Sequence, residues 1–280
     1  MKFSVAVVIP TLGRRSLNGA IQSIFDQSIK PDQIIVIDDS IAQDLNLKEH
    51  EQITVLKTGG NSGPSYSRNL GLGYCKSDWV AFLDDDDSWL PNHLENLLEF
   101  CIENGLDAAY SSALVSGKKR PTQIYTGLHS PIVDLYSRKN WWKTKMYLPT
   151  PGLIISKDVV AHLPFNENLR EREDLWFAHK IYEYQFRLAQ SANASVLVNQ
   201  NSKRSILRTN VLEDLKWAER LELVDKQASI NFLQGIALRN AIFRRDWKGI
   251  KIIFDKLSDQ NPTFSVLSRI SGLFVKEPNE

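Results

Sequence analysis

Soft and imidazole ligands are scarce in this 280-residue chain, which has two cysteines, two methionines and five histidines. Cys75 and Cys101 stand apart, with no CxxC spacing and no histidine nearby at metal-ligand spacing. That excludes a disulfide framework, a zinc ribbon and a thioredoxin-like redox centre, and leaves two buried thiols in a reducing compartment. No apolar run is long enough to span a bilayer. The stretch ending at Ile9 is too short for a secretory leader and stops at Pro10. An excess of charge is missing as well. The 34 Lys and Arg face 33 Asp and Glu, a formal net charge of +1, which argues against a nucleic-acid partner. With 42% hydrophobic and 24% charged residues the composition is globular, and a cytoplasmic enzyme is the expectation.

What is present is an alternation of strand-type and helix-type segments over the first hundred or so residues. Phe3–Ile9 and Ile34–Ile37 are apolar and β-branched on both faces, as strands between two helix layers must be. Ile53–Leu56, Trp79–Leu83, Ala108–Val115, Gly152–Ser156 and Ser195–Asn199 read as further strands. Helical spacing appears at Leu17, Ala20, Ile21 and Ile24 behind a candidate cap at Ser16. It recurs from Ser65 to Cys75, at Leu94, Leu97, Leu98 and Cys101, near Asp158, and from Glu173 to about Tyr184. The pattern predicts an α/β fold with a mostly parallel sheet flanked by helices. From Val211 onward only helical periodicity remains, with Asp246 a candidate cap for the last helix. Residues 116–165 are irregular and rich in Lys, Pro and aromatics, which marks a binding loop.

The strand Trp79–Leu83 runs straight into Asp84, Asp85, Asp86 and Asp87. Two carboxylates about 4 Å apart repel by ~4 kcal/mol at a surface-like dielectric, so such a tip calls for a positive partner. A divalent cation that takes oxygen ligands and shares them with phosphate is one. Strand C-termini are also where open α/β sheets gather ligands. Asp84 and Asp86, two apart on an extended segment, are expected to project to one side and bracket a metal and a ribose. Taken alone, the run reads equally as a solvated acidic turn. Asp38-Asp39 ends the second strand similarly, as an acceptor for ribose or base donors or as a turn cap. The loop Asn61-Ser62-Gly63-Pro64 enters a helix and offers backbone N–H groups to phosphate. It lacks the P-loop pattern. Arg68, a turn further on, suits a diphosphate or a surface salt bridge.

Pro10-Thr11, Asp38-Asp39, Asn61-x-Gly63 with Arg68-Asn69-x-Gly71, and Phe82-Leu83-Asp84-x-Asp86-Asp87 occur in order and at fitting spacing. In these the chain resembles glycosyltransferase family 2, from residue 3 to about 115 and more weakly to about 200. The resemblance implies a GT-A domain over residues 1–205, with a nucleotide-sugar half (1–115) and an acceptor half (116–205), followed by a helical region (206–280). It implies that Pro10 and Thr11 line the nucleotide pocket, that Asp39 meets a uracil-type base and that Arg68 lies near base or pyrophosphate. Asp84 and Asp85 join the nucleotide-sugar set, Asp84 at the ribose, and Asp86 binds the Mn²⁺ or Mg²⁺ that bridges the diphosphate. One departure is visible. Ser40-Ile41 follows Asp39 where the family often has Gly-Ser, which loosens the base assignment and leaves the metal motif untouched.

Glu173-Asp174 resembles the family's Glu-Asp pair, with Asp174 as the base that activates an acceptor hydroxyl. A helix N-terminus favours the anion and so lowers basicity, which puts the weight on positioning. An acid pair at a helix start is also an ordinary cap with no chemistry. The implied enzyme is an inverting, metal-dependent transferase that moves a UDP-hexose to a saccharide or lipid-linked oligosaccharide in surface-polysaccharide assembly. By analogy it works peripherally at the inner face of a membrane. Two rivals stand beside it. A sugar nucleotidyltransferase needs a Gly-rich basic loop after the first strand, where Pro10-Thr11-Leu12-Gly13-Arg14-Arg15 has one glycine. The other is a non-catalytic binding protein on a degenerate transferase fold. Trp141, Trp142, Tyr147 and Trp176 either stack on sugar faces or close a core edge, and His179 is read as packing. Residues 201–280 hold 14 Lys and Arg against 10 Asp and Glu. Arg239, Arg244, Arg245, Lys248 and Lys251 there face anionic lipid, a partner or solvent.

Overall fold

The computed structural model describes residues 3–41, 45, 47, 50–115, 118–119, 123–137, 146–169, 171–199 and 210–260. The chain divides into two compact units, one within Met1–Pro131 and Lys145–Gln200, the other within Ile132–Thr144 and Asn201–Glu280.

The first unit is built on a nine-stranded sheet. β1 (Val5–Thr11) lies between β2 (Gln33–Asp38) and β4 (Trp79–Phe82), with β3 (Ile53–Lys57) outside β2, and these four are parallel. β1, β2 and β4 are the buried-type runs read from the sequence, while β3, the short strand read at Ile53–Leu56, is half-buried to exposed. β8 (Leu153–Ser156) is antiparallel to both β4 and β6 (Ala108–Val115), and β6 is parallel to β9 (Leu188–Val198). The two-residue strands β5 (Ser88–Trp89) and β7 (Lys118–Lys119) pair antiparallel with β9 and β6. The second half of the sheet is therefore mixed. Side-chain alternation reports which face a residue takes and not strand direction, so periodicity carried no sign of the reversal.

Helices α1 (Leu17–Phe25), α2 (Pro64–Tyr74), α3 (His93–Asn104), α4 (Lys157–His162) and α5 (Glu173–Glu183) cover the sheet. Successive residues of β1 serve opposite layers. Val5, Val7 and Ile9 pack with Leu17, Ile21 and Ile24 of α1 and with Leu94, Leu97 and Cys101 of α3. Ala6 and Val8 pack with Leu72 of α2, Val159 of α4 and Phe177, Ala178 and Ile181 of α5. Each such fully buried aliphatic or aromatic side chain contributes about 1.5–3 kcal/mol, which makes β1 the anchor of both layers. Ser16 precedes α1 but its side chain makes no capping bond. Gly71 lets α2 approach β1, since a Cβ there would sit 2.5 Å from Val8 Cγ1.

The second unit is helical in its described residues. Val211–Val224 opens on a reciprocal capping box between Asn210 and Glu213. Lys226–Phe232 continues through a π-helical turn, Leu233–Ala237, into Leu238–Phe243, and Trp247–Gln260 follows. Asp246 accepts the Gly249 N–H at 2.8 Å, the cap expected of it. The short segment Val133–Ser137 belongs here too. Asn231 donates to the Tyr136 carbonyl, Ser137 donates to Asp225 at 2.7 Å, and Tyr136 meets Phe232 edge to face. No described helix is long and apolar enough to cross a membrane.

Candidate active site

The carboxyl ends of β1, β2 and β4 gather the residues singled out in the sequence. β4 stops at Phe82, and the next residues do not stay extended. The Asp87 amide donates to the Asp84 carbonyl at 3.1 Å, closing a turn. The expected same-side pair of Asp84 and Asp86 on an extended segment gives way to this turn.

Each aspartate has a partner, and Asp85 and Asp86 share Arg14. Asp84 receives Arg68 Nη2 at 3.0 Å. Asp85 is buried, and its two oxygens accept from the Thr11 hydroxyl at 2.6 Å and from Arg14. Its carboxylate, expected in the nucleotide-sugar set, ties the β1 loop to the acidic turn. Asp87 accepts the Asn199 N–H at 2.8 Å, and burial first, then repulsion from Asp84, pushes it up to about 7. Asp86 is left the freest, its side chain 44% exposed with Arg14 at 3.4 Å. Burial, and then repulsion from Asp84 and Asp85 against the pull of Arg14, raises its pKa. Much of the positive charge that the acidic tip called for thus comes from Arg14 and Arg68. Arg14 was not singled out by any motif; its signal was only that it follows the first strand.

Arg68 is the hinge of the site. Its side chain is 4% exposed, lies over the Phe165 ring at 5.4 Å, and donates to Asp84 and to Glu173 Oε1, each at 3.0 Å. Burial opposes its charge, and the two carboxylates outweigh that and raise its pKa. This guanidinium, expected beside base or pyrophosphate, joins the end of β4 to the start of α5.

Asp174, next in line on α5, keeps partial exposure and accepts from the Leu175 amide at 2.7 Å. Residue Arg172 before the helix has φ +62°, in the left-handed region, and gives no side-chain cap. The bond from the Leu175 amide keeps a capping role for Asp174 open, while the strained backbone at Arg172 is of the kind that concentrates at functional sites. Burial, with repulsion from Glu173 next, pushes Asp174 up to about 7. The sign is opposite to the helix-terminus expectation, because desolvation outweighs the helix end here. Tyr110 of β6 was missed by sequence reading. It is fully buried, its hydroxyl has no hydrogen-bond partner among the described residues, and burial first, then repulsion from Asp174, raises its pKa.

On the base side, Asp39 is buried and takes three donors, the Thr58 hydroxyl and the Ser62 and Gly63 amides at 2.8 and 2.9 Å. It shapes the glycine loop. Gly63, at φ +91°, holds a backbone conformation side chains rarely adopt. Asp38 accepts from Ser40 N–H and hydroxyl, the turn role weighed for it. Pro10 is half-buried beside Thr11 at the strand end. Trp141 and Trp142 lie outside the described residues. Tyr147 packs against the core, Trp176 sits 5.3 Å from the His179 ring, and His179 shares a hydrogen bond with Ser130.

No group of three or more His, Cys, Asp or Glu among the described residues is arranged to hold a metal. What the turn offers is one exposed carboxylate, Asp86, with Asp84 one-third exposed. Hard oxygen donors in that number fit Mg²⁺ or Mn²⁺ only when phosphate oxygens complete the shell.

The sequence model of glycosyl transferase family 2 matches residues 6–163, which include the whole acidic turn. The chain belongs to glycosyl transferase family 2. Among curated family relatives, the succinoglycan biosynthesis protein ExoW of Rhizobium meliloti is 37% identical over 119 residues, 39% of this chain and 37% of that one. A GalNAc(5)-diNAcBac-PP-undecaprenol beta-1,3-glucosyltransferase of Campylobacter jejuni is 25% identical over 221 residues, 72% of this chain and 71% of that one. The match spans 37% of ExoW and 40% of the pre-mycofactocin glycosyltransferase of Mycobacterium tuberculosis, so these relatives are much longer than the shared part. The crystal structure of S. aureus TarS 1-349 in complex with UDP superposes with a TM-score of 0.59 at 19% identity, over 96% of this chain and 92% of that one. At that identity the likeness speaks for the GT-A fold.

Proposed function

We propose that this glycosyltransferase moves a hexose from a UDP-sugar to a hydroxyl of a saccharide or lipid-linked saccharide acceptor, with inversion at the anomeric carbon. The observation that carries the reading is the Arg68 bridge. One buried guanidinium ties the acidic turn, which serves the donor, to the start of α5, which holds a carboxylate of raised pKa. Donor and base are thereby held on one rigid link. Asp174 takes the proton of the acceptor hydroxyl while that oxygen bonds to the anomeric carbon. The bond to the diphosphate breaks on the opposite side, and its electron pair leaves with the diphosphate. A pKa near the working pH suits a general base, a role worth about 10²–10⁴ in rate.

Asp86, with Asp84 beside it, would hold Mn²⁺ or Mg²⁺, which supplies charge neutralisation for the departing diphosphate. The glycine loop that Asp39 shapes offers its remaining polar groups to the base, with Pro10 and Thr11 lining the pocket. The names of relatives that act on undecaprenol-linked sugars, and a fold neighbour solved with UDP, support the donor and acceptor classes. The test is turnover of a panel of UDP-sugars with and without Mn²⁺, alongside Asp174→Asn. Metal-assisted UDP binding kept by Asp174→Asn with turnover lost is the expected result. Turnover unchanged in that variant would remove the base, and no turnover of any UDP-sugar would remove the donor class.

A further inference from the structure

The helix Leu238–Phe243 ends and Trp247–Gln260 begins at a tight corner, where Arg245 sits at φ +56°. Four large apolar side chains are exposed around it: Ile242 at 56%, Phe243 at 66%, Trp247 at 61% and Ile252 at 44%. The helix is not short of an inner face. Ile250, Ile253 and Leu257 are buried, so the outer residues are surplus to the fold. Interleaved with them are four exposed basic residues, Arg239, Arg245, Lys248 and Lys251, and no exposed acidic residue falls between 239 and 252. Arg244 is not one of the set, since it turns inward to the buried Asp214 at 3.2 Å. Asp246, the acid in the stretch, caps the Gly249 amide.

A solvated helix face carries the charges without the indole and phenyl. A protein-docking face carries the rings with few charges at its centre. A second copy of the same face would set four cations against four cations, which disfavours a two-fold self-contact. Rings and isoleucines at headgroup depth, ringed by Lys and Arg at phosphate height, meet the requirements of an anionic bilayer surface.

We infer that the corner from Arg239 to Ile252 is a docking face for a bilayer that contains anionic phospholipid. The inference goes beyond the transfer reaction and holds whichever sugar is moved. It is tested on the full chain, without donor or acceptor, so a failed transfer assay leaves it untouched. The protein is sedimented with vesicles of phosphatidylcholine alone and of phosphatidylcholine mixed with phosphatidylglycerol. Binding is expected to the mixed vesicles only, and to weaken as salt is raised. Phe243→Ser with Trp247→Ser is expected to abolish it. Arg245→Gln with Lys248→Gln is expected to weaken it by about twenty-five-fold, near fivefold per basic residue. Because these side chains are exposed, thermal midpoints of both double variants should match the parent.

Equal binding to both vesicle types, no binding to either, or binding indifferent to both double variants would overturn the inference. So would light scattering that shows a dimer undone by the Phe243 and Trp247 changes, which would assign the face to a second copy. Capture of a purified acidic protein in preference to the mixed vesicles would do the same for a protein partner.

Discussion

At the residue scale the decisive group is Asp174, the proposed base, whose raised pKa ties its protonation to stability and, on that proposal, to rate. As the base it must be ionised, so kcat/KM is expected to rise with pH through about 7 and level off above it. Asp87 titrates in the same range, so the limb needs an owner. Asp87→Asn should leave the limb in place and Asp174→Asn should lose it along with turnover. The stability sign follows from burial. Folding raises this carboxyl from near 3.9 to about 7, so between those values the folded chain holds the extra proton. The stability tied to it is full below about 4 and falls as pH rises through 7. Asp174→Asn is therefore expected to raise the thermal midpoint at pH 8 and to leave it unchanged near pH 4, which differential scanning fluorimetry reads directly. Arg68 gives the opposite outcome. Its removal leaves Asp84 and Glu173 facing each other in a part-buried site, so Arg68→Ala is expected to cost about 3 kcal/mol in urea unfolding. Lysine, with one ammonium for two separated carboxylates, should restore only part of that.

At the scale of elements, what was legible and what was not divide along physical lines. β1, β2 and β4 were readable because burial on both faces demands runs such as Ile34-Ile35-Val36-Ile37, and the tips of β2 and β4 because acids at strand ends are costly unless used. The approach of α2 to β1 was readable only as a motif glycine, and the structure supplies the reason. Gly71→Ala would drive a methyl into Val8, and the expected cost is about 1–3 kcal/mol. Val8→Ala should relieve the strain in the double variant, so its cost should fall short of the sum of the two single changes. If the two costs add, the helix is not held off the strand at this point. Less legible were the pairings made over long separations. The first half of β9, with Gln190, Ser191 and Asn193, does not alternate cleanly, and it pairs with β6 across register shifts near Ser112. The partners of the four aspartates were hidden for the same reason. Arg14, Arg68 and Asn199 come from three distant segments, and nothing local to Asp84–Asp87 announces them.

At the scale of the whole molecule, the sequence boundary near residue 205 and the observed division differ in one informative respect. Residues Ile132–Thr144 lie inside the first unit's stretch of sequence yet group with the helical unit. Ile132 and Tyr136 are buried there, Asn231 donates to the Tyr136 carbonyl, and Ser137 donates to Asp225. Local periodicity could not show this, because Val133–Ser137 finds its partners more than eighty residues later. A cut after Gln200 is therefore not a clean one. It would strip the helices from around Ile132 and Tyr136 and set that apolar surface in solvent, where it favours association over solubility. The truncated chain is expected to bind a hydrophobic dye and to lose solubility relative to the full chain, even though every strand of the sheet is retained. Replacing Ile132 and Tyr136 with Ser in the truncated chain should restore solubility, since both would then face water. A truncated chain that stays soluble and dye-free without those changes would show that the segment finds cover elsewhere.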